Sequence, residues 1–214
     1  MKQKHIIPIF PLSAVLFPYT LMPLHIFEDR YKELISDISA SDGLFGIVYS
    51  SGNSFSQVGT LAKYQKTVKS YSDGSTDIIT LGKERFHIDH VYEPSPYYTA
   101  KVTRVIDTEC SNSTEMQDLA EKCIFALDKF VQEIGKAIDL SRLKHLDACE
   151  LSFVLSATEM LDNHSKQQLL EMLSSRERLD SLLKLIWDRI AQQKAQNLLG
   201  AAGFASDQVK YLFN

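Results

Sequence analysis

His25, with Glu28 and Asp29 close behind it, is the side chain most suggestive of catalysis. An imidazole beside carboxylates is the raw material of general acid–base catalysis. No nucleophile lies near them in sequence, so the residues favour an architectural role, with His25 packed at a bend and donating to a backbone carbonyl. Glu28 and Arg30 read as residues that pin a helix start, where the dipole favours a carboxylate. His87 and His90 stand three apart on an expected strand, which points them to opposite faces and away from a shared metal. Cys123 and Cys149 fall on apolar helix faces and read as core. Serines are common, but none sits in a G-x-S-x-G elbow, and no G-x-x-x-x-G-K-[ST] loop is present to cradle a phosphate. The expectation is no catalytic residue, no metal and no cofactor.

Two other groups point to binding. Lys63, Lys66 and Lys69 form a basic run at a spacing of three. On a regular strand they alternate faces, which reads as a solvated edge rather than a stripe for nucleic acid. Tyr19, Leu21 and Met22 lie in a segment between prolines that cannot readily bury all three. A stiff apolar loop of this kind is a candidate docking surface for extended polypeptide, and these three are the expected binding residues. Trp187 reads as half-buried core, and Tyr211-Leu212-Phe213 as an apolar end able to dock on this chain or on a partner.

The elements that must position these residues come in two kinds. Between Ile6 and Tyr31 stand four of the six prolines, at Pro8, Pro11, Pro18 and Pro23. Proline lacks a backbone donor and is confined to edges and bends, so this stretch reads as brief edge strands. Tyr31, Leu34, Ile35 and Ile38 then fall at helical spacing. Further strands are expected over 6–10, 44–49, 58–67, 76–81, 86–92 and 97–106, with Asp73-Gly74 supplying a hairpin turn. Beyond residue 108 the pattern becomes helical. One helix is expected from Ser113 or Thr114 through Ile134, a buried one over 149–161, and one long helix over 166–197. The fold class is α+β: a β-rich domain over residues 1–108, read as a small closed or nearly closed barrel, and a helical bundle over 109–214.

Charge and composition narrow the function. The net charge is −4 with histidine counted neutral, and the first half is electrically balanced, which leaves no broad basic face for nucleic acid. No apolar run reaches the length of a membrane span. Cys110, Cys123 and Cys149 are an odd number with no C-x-x-C spacing, which favours free thiols in a reducing, cytoplasmic setting.

In order along the chain, Leu16-Phe17-Pro18, Pro23-Leu24-His25-Ile26-Phe27-Glu28 and Arg30-Tyr31 resemble the opening signature of the Lon protease N-terminal domain family. Phe45-Gly46-Ile47-Val48, Val58-Gly59-Thr60, Asp73-Gly74, Gly82 followed by Arg85-Phe86, and Pro96-Tyr97 continue the resemblance. So do Leu155-Ser156-Ala157 and the segment from Leu169 to Leu183, with Arg178-Leu179. The resemblance implies a PUA-like β-barrel followed by a helical subdomain. One residue departs from it: Tyr19 stands where the family usually has glycine after Phe-Pro. The ATPase and serine-lysine peptidase modules of a full Lon protease have no counterpart among these 214 residues, so the expectation is a stand-alone, non-enzymatic polypeptide-binding module. Its expected partners are unfolded or degron-bearing polypeptides, with a protease or chaperone as a further partner, and neither membrane nor nucleic acid. The alternatives are an RNA-binding PUA-like protein and an enzyme with a small pocket.

Overall fold

The computed structural model describes residues 4–52, 54–108, 113–137 and 139–201. Cys110, Gly203 and Tyr211-Leu212-Phe213 lie outside them. The chain forms two compact units. The first takes residues 1–108 together with 156–173, and the second takes 109–155 and 174–214, so the units are not simply the two halves of the sequence.

The first unit is a mostly antiparallel sheet with helices. Its strands are β1 (Lys4–Leu12), β2 (Leu21–Ile26), β3 (Leu44–Ser51), β4 (Ser54–Phe55), β5 (Val58–Ser70), β6 (Thr76–Tyr92) and β7 (Thr99–Val105). The hydrogen-bonded path runs β1-β7-β6-β5-β3-β4, and a parallel ladder joins β1 to β3. Residues 4–8 of β1 pair with β7 and residues 9–12 with β3. This change of partner is how one strand holds both Pro8 and Pro11, since each proline is laddered on one side only. β2 carries Pro23 and pairs with β6 alone, the edge position that proline permits.

The expected strands 76–81 and 86–92 are one long strand, because the backbone stays extended through Gly82. A Cβ added at Gly82 would lie 2.1 Å from the Phe17 carbonyl oxygen, so only glycine lets the Phe17–Thr20 turn approach. Two hydrogen bonds hold it there: Tyr19 N–H donates to the Gly82 carbonyl and Gly82 N–H to that of Thr20, both at 2.9 Å.

Helix α1 (Asp29–Ser39) lays Tyr31, Leu34, Ile35 and Ile38 on one sheet face. There they meet Phe10, Leu16, Leu24, Ile26, Phe45, Ile47 and Ile78. A second cluster of Ile9, Val48, Phe86, Ile88, Ala100 and Val102 fills the other side of β1 and β3. Phe10 and Ile9 are successive residues, so strand alternation serves both cores.

The first unit also holds a helix spanning Asn163–Glu171. The Arg85 guanidinium, 2 % exposed, donates to the carbonyls of Leu170 and Met172 at 2.6 Å each and pairs with Asp107. Gln167 donates to the Val58 carbonyl at 2.9 Å.

In the second unit the helices are α2 (Thr114–Glu133), α3 (Ala148–Ser156) and α5 (Ser175–Ala201), with the Asn163–Glu171 helix between them in sequence as α4. Ser113 caps α2, its hydroxyl accepting from Met116 N–H. Glu115 pairs with Arg176 and Glu133 with Lys194, so α2 and α5 run in the same direction side by side. Arg178 is fully buried, stacked 3.8 Å from the Phe153 ring centroid and donating to the Ser152 hydroxyl at 2.6 Å.

The helical expectations need correction at two places. The buried helix ends at Ser156 rather than 161, because Asp162 caps a new helix by accepting from Ser165 N–H at 2.8 Å. The single helix over 166–197 is two helices. Met172 is extended, and Ser174, accepting from Glu177 N–H, restarts the chain as α5. Ser174 and Glu177 fit the S-x-x-E capping-box spacing, a signal present in the sequence and outweighed by the continuous leucine stripe.

The thiol reading also changes. Cys149 is disulfide-bonded while Cys123 is free and buried, so the cysteines are not all thiols, and an odd count still leaves room for one pair. Trp187 is 44 % exposed, so about half of it is buried.

Candidate functional site

Pro18 and Tyr19 are the central residues of the turn from Phe17 to Thr20, with Thr20 N–H directed at the Phe17 carbonyl. Tyr19 has φ +65°, so the turn follows the type II pattern of proline and then a residue with positive φ, a place glycine fills without strain. Here a bulky aromatic fills it, and its side chain is 52 % exposed. A non-glycine residue in this region is uncommon and stores strain, a state often found at binding sites.

β2 follows at once, and the three expected binding residues part company. Leu21 is 65 % exposed. Met22 is partly buried, packed against the core under α1. Neighbours on a strand face opposite ways, and the segment expected to be a loop is a strand from Leu21 onward. Met22 is therefore replaced at the surface by Pro23 and His25, both exposed.

Register shows what surrounds Leu21. Leu21 pairs with Leu81, Pro23 with Ile79 and His25 with Asp77. On the far side of β6, Leu81 pairs with Lys63, Ile79 with Lys66 and Asp77 with Lys69. Three parallel rows thus lie on one face: an apolar and aromatic row on β2, a mainly apolar row on β6, and a lysine row on β5. The expected alternation of the lysines is overturned. Register shifts between Tyr64 and Lys66 and between Thr67 and Lys69 restore each lysine to the same face, since a bulge adds a residue without adding a partner. Across the strands, the line Leu21–Leu81–Lys63 continues to Leu44 of β3, and Leu44 lines a cavity of about 510 Å3 with Ile7, Leu61, Phe86 and Val102.

At the far end of this face, His25 Nδ1 lies 2.6 Å from Asp77 Oδ1, and the Tyr71 hydroxyl donates to Asp77 Oδ2 at 2.7 Å. His25 thus meets a carboxylate, not the backbone carbonyl expected. The His25 hydrogen bond, and then that of Tyr71, hold the Asp77 carboxyl below its ordinary range. Phe27, 60 % exposed, stacks on the His25 ring at 5.9 Å, and Lys69 sits 4.3 Å from the Tyr71 ring centroid. Arg30 is bound to Glu28 at 2.6 Å, and Glu28 stands at the N-cap position of α1, but its side chain makes no capping hydrogen bond there.

The other candidates are placed differently. His87 and His90 both stand exposed on the outer side of β6, opposite Thr103 and Lys101. The register shift between Ile88 and His90 brings them to one face rather than to opposite ones. Among the described residues no group of three or more His, Cys, Asp or Glu side chains is arranged to hold a metal, and no helix is long and apolar enough to cross a membrane. Burial pushes the Cys123 thiol up to about 12, which suits a core residue and not a nucleophile.

The family model of the ATP-dependent protease La (LON) substrate-binding domain matches residues 6–188. The chain belongs to the Lon substrate-binding domain family. Solved structures agree on the fold. The N-terminal domain of a Mycobacterium avium complex Lon protease superimposes with a TM-score of 0.69 at 21% identity, covering 86% of this chain and 99% of that one. A Lon N-terminal domain protein from Xanthomonas campestris gives 0.67, also at 21% identity, covering 84% of this chain and 98% of that one. Lon protease 2 of Syntrophobacter fumaroxidans is 26% identical over 183 residues, which is 80% of this chain and 23% of that protein. The Lon protease of Flavobacterium johnsoniae is 33% identical over 108 residues, 46% of this chain and 13% of that protein. The chain therefore spans about a quarter or less of these relatives, and its match lies in the substrate-binding domain rather than in the ATPase or peptidase regions. Within the Lon substrate-binding fold, Gly82 and Arg85 of the G-x-x-R-F element have distinct tasks: Gly82 admits the Tyr19 turn, and Arg85 ties down residues 170–172.

Proposed function

We propose that this Lon-type domain is a non-catalytic polypeptide-binding module, and that the face carrying Tyr19, Leu21, Pro23, Ile79 and Leu81 receives unfolded or degron-bearing chains. The observation that carries the reading is a strained, exposed tyrosine at the head of an edge strand whose first two outward side chains, Leu21 and Pro23, are apolar. Exposed aromatic and aliphatic side chains supply the area that binding needs. The strand itself has one ladder partner, which leaves backbone groups for an incoming extended segment. The return of the strand path to β1 supports a PUA-like barrel as the rigid platform beneath this face. In this reading the module hands captured chains to a protease or chaperone partner, itself neither hydrolysing ATP nor cutting peptide bonds.

The test is fluorescence anisotropy with labelled α-lactalbumin. Reduced, carboxymethylated protein should bind and the native protein should not, and Leu21→Ser should weaken the binding with the melting temperature unchanged. Equal binding of both forms, or ATP-dependent casein turnover by the purified chain above mock controls, overturns the reading.

A further inference from the structure

Resting on the polypeptide-binding reading above, we infer that this face selects segments that turn apolar and acidic side chains to the same side, two residues apart. The selecting element is the lysine row on β5. Lys63, Lys66 and Lys69 stand opposite Leu81, Ile79 and Asp77, so each apolar position on β6 is flanked by β2 on one side and a cation on the other. The phasing depends on the two register shifts within β5; a regular strand would send Lys66 to the α1 side.

The charge on this face is only partly answered from within. Lys63 donates to the main-chain carbonyl of Asp42, not to a carboxylate. Lys69 lies over the Tyr71 ring and near Asp77, whose oxygens are taken by His25 and Tyr71. Lys66 is exposed, and among the described residues its ammonium group has no ion pair or hydrogen bond. With histidine neutral, three cations face one carboxylate. An extended ligand has a side-chain period of two on each face. In a segment lying across the strands, an apolar residue turned to the Leu21–Leu81 or Pro23–Ile79 pair therefore brings an acidic residue two positions on to the same face, over the lysine row. Exposed charges of this kind set preference and encounter rate more than total affinity.

The probes are three rhodamine-labelled, N-acetylated peptides with the repeats Val-Thr-Glu-Thr, Val-Thr-Ser-Thr and Val-Thr-Lys-Thr, written Val-Glu, Val-Ser and Val-Lys for the residues that share a face, measured by anisotropy at low and moderate salt. The Val-Glu peptide should bind about tenfold more tightly than Val-Ser, as expected for a few exposed charge pairs, and Val-Lys more weakly still. Added salt should erase the difference. Lys66→Glu should invert the order while the melting temperature stays put, and Lys66→Met should flatten it, so the result does not hang on one variant. Equal binding of the three peptides overturns the lysine inference and leaves polypeptide binding standing. Binding of none of them overturns both. Tighter binding of an oligouridine than of Val-Glu at moderate salt, abolished by Lys66→Glu, shows instead that the row serves nucleic acid.

Discussion

Replacing Tyr19 with glycine should make the protein more stable and a poorer binder at once. Tyr19 occupies φ +65° in a turn whose second central position favours glycine. Left-handed backbone costs an ordinary L-residue about 1–2 kcal/mol. Glycine removes that cost but gives the unfolded chain extra freedom worth about 0.4–1 kcal/mol. The net expectation is a gain of about 0.5–1 kcal/mol. For a chain of this length that is a rise in melting temperature of about 1–4 °C. The surrounding bonds survive the change, because the Tyr19–Gly82 and Gly82–Thr20 pairs are main-chain to main-chain. The exposed ring disappears, however, and truncating an aromatic anchor typically weakens binding by about 1–2 kcal/mol, or roughly five- to thirtyfold. Calorimetry and anisotropy with carboxymethylated α-lactalbumin read the two quantities on the same sample. Tyr19→Asn is the companion variant, since asparagine tolerates the left-handed region and also lacks the ring. A fall in melting temperature for both variants would refute the argument by showing that the ring supports the fold. Unchanged binding would show that the strain serves something other than recognition.

Other consequences are open to simple assays. Arg85→Met should destabilise the protein by about 3–5 kcal/mol, since it strands Asp107, 8 % exposed, without its cation; a loss under 1 kcal/mol in urea titration would contradict the clamp. Cys123 should resist thiol reagents at pH 8 until the protein unfolds, because burial holds its pKa near about 12, and fast labelling of the native state would contradict that. Asp73 and Asp77 are held below the ordinary value of 3.8, chiefly by Ser75 and by His25. A depressed carboxyl pKa stabilises the fold above the unfolded value and loses that effect as pH falls through the folded one. Asp77→Asn should therefore flatten the stability profile below about pH 4; an unaltered acid limb would remove Asp77 from the account.

The strand grammar of this protein was legible where local chemistry dictates it. Pro23 marks an edge strand because it cannot donate, Asp73-Gly74 marks the hairpin, and Gly74 indeed has φ +79°. The period of Tyr31, Leu34, Ile35 and Ile38 gives α1 its buried stripe. The binding face was only half legible. Tyr19 and Leu21 could be picked out, but Met22 belonged to the other face once the loop proved to be a strand. The lysine row was hidden for a different reason. Its phase is set by bulges, which depend on how β5 fits β6 and leave no mark in the spacing of the lysines. The break before α5 was written in Ser174 and Glu177 and was masked by leucines that continue across it. Arg85 as a clamp on residues 170–172 was beyond reach, because its partners are main-chain carbonyls about 85 residues away.

The central claim is that unfolded polypeptide docks on the face built by β2, β6 and β5. Hydrogen–deuterium exchange of the whole chain, with and without saturating carboxymethylated α-lactalbumin, addresses it directly. The account predicts slower exchange in residues 17–27 and 63–81, with the α2–α5 pair unchanged. Protection confined to other segments, with 17–27 exchanging at its free rate, would contradict it.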